Sequence, residues 1–358
     1  MNKGYVRQVK AGLLGLCLIL AGAAFAQQHG VTATGESGTP VFTTIDVTGA
    51  GPIGTESNVI NAAGTIAGDY WDSNNVAHGY VRDSGGVITT FDAPGADTNP
   101  GSFGTFAYAI NAAGTITGYY YDVNAAPHGY VRTADGSITT FSLTGASGTY
   151  AVSINSAGAI AGIYSDQSHV QHSYVRSAGG LITTFSVSGA TGTYAGAISS
   201  AGTITGFYKD ASGTHGFVRG SGGNIVTFDT TGSTWTQPNS INSAGVITGS
   251  YMTGQVTRAF VRSTDGTFTT FSVSGSISTG AFSLNEAGAL VGYFWVGSAT
   301  SGSDRGFVRS PGGAVTTFSA PSNLNAVDTW ASANNGTGAI VGTYYDTNGV
   351  THGYLLTP

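Results

Sequence analysis

Apolar and polar residues alternate along the chain in short runs that recur in a fixed order. Between Ile110 and Leu143 the order is Ile110-Asn-Ala-Ala-Gly114, Ile116-Thr-Gly-Tyr-Tyr-Tyr-Asp122, His128-Gly-Tyr-Val-Arg132 and Ser137-Ile-Thr-Thr-Phe-Ser-Leu143. Period-two alternation in runs rich in Thr, Ile, Val, Tyr and Phe predicts half-buried strands. The clearest unit divides into strand a (Tyr150–Asn155), b (Ala159–Tyr164), c (His172–Arg176) and d (Leu181–Ser186). A Ser-Ala-Gly turn joins a to b, and Gly179-Gly180 makes the tight hairpin from c to d, because glycine accepts positive φ without a steric cost. No stretch beyond the N-terminal segment has helical periodicity.

The Asn, once Ser, that opens each unit stands at Asn61, Asn111, Asn155, Ser199, Asn242, Asn285 and Asn335, with spacings of 50, 44, 44, 43, 43 and 50. A period of about 45 residues carrying several short strands predicts propeller blades. A β-helix repeats faster, and a helical solenoid needs apolar residues three and four apart. The last unit ends after its third strand, His352-Gly-Tyr-Leu-Leu356, while Val41-Phe-Thr-Thr-Ile-Asp46 resembles a fourth strand without a unit of its own. The expected fold is all-β: a seven-bladed β-propeller of four-stranded antiparallel blades over 41–358. In this reading the N-terminal strand completes the C-terminal blade and closes the ring, leaving few open edges.

Before that ring, Lys3, Arg7 and Lys10 precede the apolar run Ala11–Ala24, and Ala24-Phe-Ala26 is a small-x-small cleavage pattern. Residues 1–26 read as a secretory signal peptide, too short to span a membrane, and 27–40 as a flexible Gly/Thr/Ser-rich lead-in. The expected location is secreted or periplasmic. The single cysteine, Cys17, lies in the leader and Leu16 precedes it, which excludes a lipoprotein site. Beyond the leader no disulfide or thiolate metal site is available. Loss of the leader's three basic residues takes the formal net charge from −6 to −9. An acidic chain with its arginines spread along the repeats has no basic stripe for nucleic acid. The expectation is a monomer without nucleic-acid partner or cofactor.

Five histidines open strand c (His78, His128, His172, His215, His352), and strand b of the same units ends in Asp72, Asp122, Asp166, Asp210 and Asp346. The two units that lack this Asp also lack the His, and carry Arg258 and Arg305 instead. The joint loss predicts structural Asp–His pairs across the b–c hairpin. Copies spread around a ring do not act together as a catalyst or a metal site. Arg82, Arg132, Arg176, Arg219, Arg262 and Arg309 share one repeat position, expected to lie along strand c with packed stems. A strand-b glycine in every unit predicts close approach of a backbone or ring. The Gly-rich turns lead into no helix, so they are not phosphate loops.

Departures from the repeat mark the expected binding face. The long d–a connections Ala93–Phe106 and Ala320–Thr329 and the b–c loop Val296–Asp304 emerge on one side, near all four tryptophans. Trp71 and Trp295 are placed at the ends of strand b, Trp235 and Trp330 in d–a connections, as candidate ligand anchors.

The recurring Gly-x-Ile-x-Gly-x-Tyr with His78-Gly-Tyr80, His128-Gly-Tyr130, His215-Gly-Phe217 and His352-Gly-Tyr354 resembles the HAF repeat of bacterial extracellular proteins. The resemblance covers about Val41 to Leu356 and implies an exported repeat protein with a propeller-like fold, with no reaction attached to it. The expected function is a binding or scaffold module for an extracellular polysaccharide or a cell-surface protein. The alternatives are a purely structural surface or matrix protein, or a polysaccharide lyase, hydrolase or lactonase with Asp97, His169, Asp304 and Asp328 as loop-borne candidates.

Overall fold

The computed structural model describes residues 40–298 and 301–358; the leader, and the lead-in up to residue 39, lie outside the described residues. Apart from one short 3-10 turn, Ser322–Leu324, every regular element among the described residues is a strand. After β1 (Val41–Ile45) the chain repeats an antiparallel four-strand meander. The first set is Ala50–Ile60, Ile66–Asp72, Ala77–Arg82 and Ile88–Phe91 (β2–β5). Next come Thr105–Ile110, Ile116–Tyr121, Pro127–Arg132 and Ile138–Phe141 (β6–β9), then Gly148–Ile154, Ile160–Ser165, Gln171–Arg176 and Ile182–Phe185 (β10–β13). Gly192–Ile198, Ile204–Lys209, Thr214–Arg219 and Ile225–Phe228 are β14–β17. Trp235–Ile241, Ile247–Thr253, Val256–Arg262 and Phe268–Phe271 are β18–β21. Ser278–Leu284, Leu290–Gly297, Gly302–Arg309 and Val315–Phe318 are β22–β25, and Ala326–Asn334, Ile340–Asp346 and Thr351–Thr357 are β26–β28.

The three-stranded remainder at the C-terminus takes its fourth strand from the N-terminus. β1 pairs antiparallel with β28, Val41 opposite Thr357 through Ile45 opposite Gly353. Phe42 stacks on Tyr354 at 4.7 Å and 19°, and the hydroxyls of Thr44 and Tyr344 lie 3.2 Å apart. Single parallel bridges, Gly54 to Thr351 and Thr214 to Trp235, join two neighbouring pairs of sets.

The repeated residues now have physical roles. The strand-c aromatics, Tyr80, Tyr130, Tyr174, Phe217, Phe260, Phe307 and Tyr354, are the largest fully buried side chains. Each pairs in register with the strand-b glycine, as Gly118 does with Tyr130. A Cβ at Gly118 would lie 2.0 Å from the Phe106 carbonyl oxygen and 3.0 Å from the Tyr130 hydroxyl, so only glycine fits. The Tyr130 hydroxyl donates to that carbonyl at 3.0 Å, and Tyr354 makes the equivalent bond to Trp330. Burial holds these phenols protonated, their ionisation pushed far above the usual tyrosine range.

The arginines join neighbouring sets. Arg132 lies over Phe91 at 4.9 Å, Arg176 over Phe141 at 4.8 Å, and Arg219 over Phe185 at 4.8 Å, each ring belonging to the preceding set. In five units the opening Asn does two jobs. Asn111 Oδ1 accepts the Ala113 and Thr115 N–H groups and so caps the a–b turn, while Nδ2 donates to the Asn155 carbonyl in the next set. The same donor link runs from Asn61 to Asn111, Asn155 to Ser199, Asn285 to Asn335, and Asn335 to Asn61 across 274 residues.

Two loop expectations change. Trp235 and Trp330, expected in d–a connections, lie within strands β18 and β26, because each finds an antiparallel partner, Met252 and Thr343. The expected Val296–Asp304 loop is largely an extended hairpin, with Val296 opposite Ser303 and Gly297 opposite Gly302.

Candidate functional site

Each of the five histidines sits at a three-strand junction within its own unit. The ring lies against the tyrosine directly opposite on strand b, as His172 does on Tyr164 at 5.0 Å and His352 on Tyr344 at 4.8 Å. Nε2 faces the strand-b carboxylate at 3.7 Å for His78–Asp72, 3.3 Å for His128–Asp122 and 3.2 Å for His172–Asp166. The distances are 3.2 Å for His215–Asp210 and 3.9 Å for His352–Asp346. Nδ1 faces a second partner just past strand d: Asp92, Asp229 and Asp46 at 2.9, 2.7 and 2.9 Å, or the hydroxyls of Ser142 and Ser186 at 2.7 and 2.8 Å. The hydrogen bond that His78 Nδ1–H donates to Asp92, opposed by burial, raises the His78 pKa. His215 is lowered by burial, but its Asp229 and Asp210 partners outweigh this and the net shift is upward. Where arginine replaces histidine the geometry persists in part, since Arg258 Nη1 donates to Ser272 Oγ at 3.4 Å. No two imidazoles share a partner in this arrangement.

The strand-d partners were missed in the sequence, although the signal is regular: an Asp or Ser stands 14 residues after His78, His128, His172 and His215. Among the described residues no three His, Cys, Asp or Glu side chains are grouped to hold a metal.

The four tryptophans separate. Trp71 is 4% exposed and packs edge-on against Phe106 at 5.9 Å, so its face is closed to a ligand and it is a core residue rather than an anchor. Trp235 is half-buried in the β18 edge beside Thr214. Trp330 contacts the carboxylate of the buried Asp304, and Trp295 stands across the hairpin from the same residue. Asp304 is the register partner of Trp295 on β24, and its Oδ2 accepts the Trp330 indole N–H at 2.7 Å. The backbone N–H of Asp304 donates to Asp328 Oδ1 at 2.9 Å. Trp295 lies across Gly302, where a Cβ would stand 2.9 Å from the indole, and its own N–H donates to the Ser298 carbonyl at 3.0 Å. Tyr293 and Tyr345 flank Trp330 with ring centroids 5.7 and 5.9 Å away. Tyr293 is two residues before Trp295, so strand alternation puts both on one side of β23. That spacing is the signal by which the tyrosine could have been found.

Of the four loop-borne residues weighed for catalysis, Asp304 and Asp328 therefore meet. Asp97 and His169 do not join them. Asp97 Oδ1 accepts the Asn99 N–H at 3.0 Å in the β5–β6 connection, and His169 takes a left-handed turn conformation, φ 61°, between β11 and β12. A small cavity of about 190 Å³ lies behind Asp304, lined by Ser303, Arg305, Ser319 and Thr329 among others. Also absent from the sequence reading is Glu56 on β2, which stands opposite the buried Asp69 of β3. Asp69 Oδ1 accepts the Asn58 carboxamide at 2.7 Å.

The recurring antiparallel four-stranded sheets define the chain as a β-propeller-class protein. Among solved structures it is similar to a catalytically inactive virginiamycin B lyase from Staphylococcus aureus with quinupristin. That likeness has a TM-score of 0.58 at 13% identity and covers 89% of this chain and 100% of the other. A streptogramin B lyase structure matches with a TM-score of 0.57 at 10% identity, over 89% of this chain and 98% of that one. At this identity the likeness concerns the fold. No family model matches the chain, and no curated protein matches it.

Proposed function

We propose that the chain is an exported binding propeller of seven blades, a monomer closed by its own N-terminal strand, that holds an extracellular glycan on its loop-bearing face. The β1–β28 pairing and the Asn335-to-Asn61 hydrogen bond support the closed ring. The leader pattern and the HAF-like repeat support export.

The observation that carries the binding reading is the Trp330 cluster. A half-buried indole, its edge fixed by Asp304, beside two tyrosines and a second carboxylate, offers what a sugar ring needs. The aromatic faces receive the C–H side of the ring, and the half-buried Asp328 carboxylate accepts its hydroxyls. Trp295 and Ser298 set the cluster at the end of the β23–β24 hairpin, on the side of the variable connections.

Retention on insoluble polysaccharides tests this reading, comparing wild type with Trp330→Ala and Trp235→Ala after circular dichroism has shown both variants folded. Loss of retention is expected for Trp330→Ala and a smaller loss for Trp235→Ala. A wild type retained by no polysaccharide ends the proposal.

A further inference from the structure

The rings of the Trp330 cluster are not arranged as one flat platform. Tyr293 is inclined to Trp330 by 35° and Tyr345 by 71°, so the three rings form angled walls. The half-buried Asp328 stands opposite Tyr345, and the buried Asp304, which holds the Trp330 N–H, is linked to it through its own N–H. Each aromatic face carries the negative part of the ring quadrupole, and walls of this kind around carboxylates attract an organic cation. The nearest basic residue in sequence, Arg305, follows Asp304 on β24. Alternation turns it to the other side of that strand, where it pairs with Phe294. The net charge of the chain has the same sign as these carboxylates and favours the approach of cations.

We infer, resting on the glycan reading above, that the site selects sugars bearing a protonated amine, that is, amino sugars without their N-acetyl group. An ammonium on the sugar meets the half-buried Asp328 at short range, with the charge of the buried Asp304 behind it, while the ring carbons lie against Trp330. Acetylation removes the charge and adds an acyl group that the carboxylates do not favour. No bond is made or broken in this step; the discrimination is by binding alone.

The test is a fluorescence titration of the chain with tetramers of glucosamine, N-acetylglucosamine and glucose, at mildly acidic pH and moderate salt. The expected result is binding of the glucosamine tetramer about tenfold tighter than either of the others, which is the order given by one cation–π and carboxylate contact. Asp328→Asn and Asp304→Asn should each shrink that ratio towards one, the ratio between tetramers being read whatever each substitution costs in binding of the glucose tetramer. Two results overturn the inference and leave the glycan reading standing. One is equal or tighter binding of the acetylated or glucose tetramer. The other is a preference for glucosamine that survives both substitutions and disappears with added salt, which is general charge attraction. Wild type that binds none of the tetramers and no polysaccharide removes both readings together.

Discussion

A histidine held between two carboxylates on different strands makes a local fold element sensitive to protonation. Asp72 and Asp92 face the two nitrogens of His78, and Asp210 and Asp229 those of His215. Both pKa values are raised, so the charged form binds its partners better in the folded state than in the unfolded chain. The stabilisation is therefore fully present below the unfolded histidine pKa of about 6.5 and is lost as pH rises through the higher folded value. The carboxylates act oppositely. Hydrogen bonds from Ser212 depress Asp210 to about 2, and that contribution disappears only as pH falls towards this value. We expect urea midpoints of the wild type to decline between mildly acidic and mildly alkaline pH, and the decline to flatten in His78→Gln/His215→Gln. An equal slope in wild type and variant would show that the triads do not set it. The Asp–His spacing was legible because the two residues disappear together from the units that carry Arg258 and Arg305. The Trp71 burial was not, because the neighbour that covers it, Phe106, comes from another unit and leaves no periodic mark on the Trp71 strand.

Each four-stranded element is incomplete without its neighbour, and the arginines show how the elements are joined. Arg219 on β16 is 8% exposed, its guanidinium lying 4.8 Å from the Phe185 ring of β13, and its Nε is buried without a hydrogen-bond partner. The sequence placed these stems along strand c. It did not reveal the ring beneath them, since contacts between successive units are invisible to a pattern read within one unit. Arg262 on Phe228 and Arg309 on Phe271 repeat the arrangement. The break comes at the last unit, where Leu356 packs in an apolar cluster with Phe318 instead. A double-mutant cycle on Arg219→Met and Phe185→Leu should return a coupling of about 1 kcal/mol, the value for a partly desolvated cation–π pair. A coupling near zero would assign the recurrence of this shape across units to packing of the arginine stem alone. Strand boundaries within the elements were read from alternation to within a residue or two. Trp235, Trp330 and the Val296–Asp304 hairpin were the exceptions, the strand of Trp330 being broken by a register shift between Ala326 and Asp328.

At the scale of the whole molecule, the question is what keeps the first and last elements together when some 300 residues separate the strands that meet there. β1 supplies backbone pairing to β28, and the Asp46 carboxylate accepts from His352 at 2.9 Å. On the inner side the carboxamide chain supplies a second tie, with Asn335 Nδ2 reaching the Asn61 carbonyl at 3.2 Å. A closed ring makes Asn335 equivalent to Asn111: each caps its own a–b turn through Oδ1 and donates one bond to the next unit. Alanine at either site should then cost a similar amount, about 2 kcal/mol, from two or three lost hydrogen bonds to buried groups. In an open array Asn335→Ala would cost less by its donor bond. Ser199 supplies the opposite test. Its hydroxyl accepts the Thr203 N–H at 3.2 Å, which keeps the turn capped, but the shorter side chain has no amide to extend towards Asn242. Ser199→Asn supplies a carboxamide at the one unit whose opening residue has none, and should raise stability by roughly 0.5–1.5 kcal/mol with the urea m-value unchanged. Stabilisation by Ser199→Asn together with equal losses at Asn111 and Asn335 would show that the carboxamide links between successive units act as equal ties. A neutral Ser199→Asn with a mild Asn335→Ala would leave the β1–β28 pairing as the main tie between the first and last units.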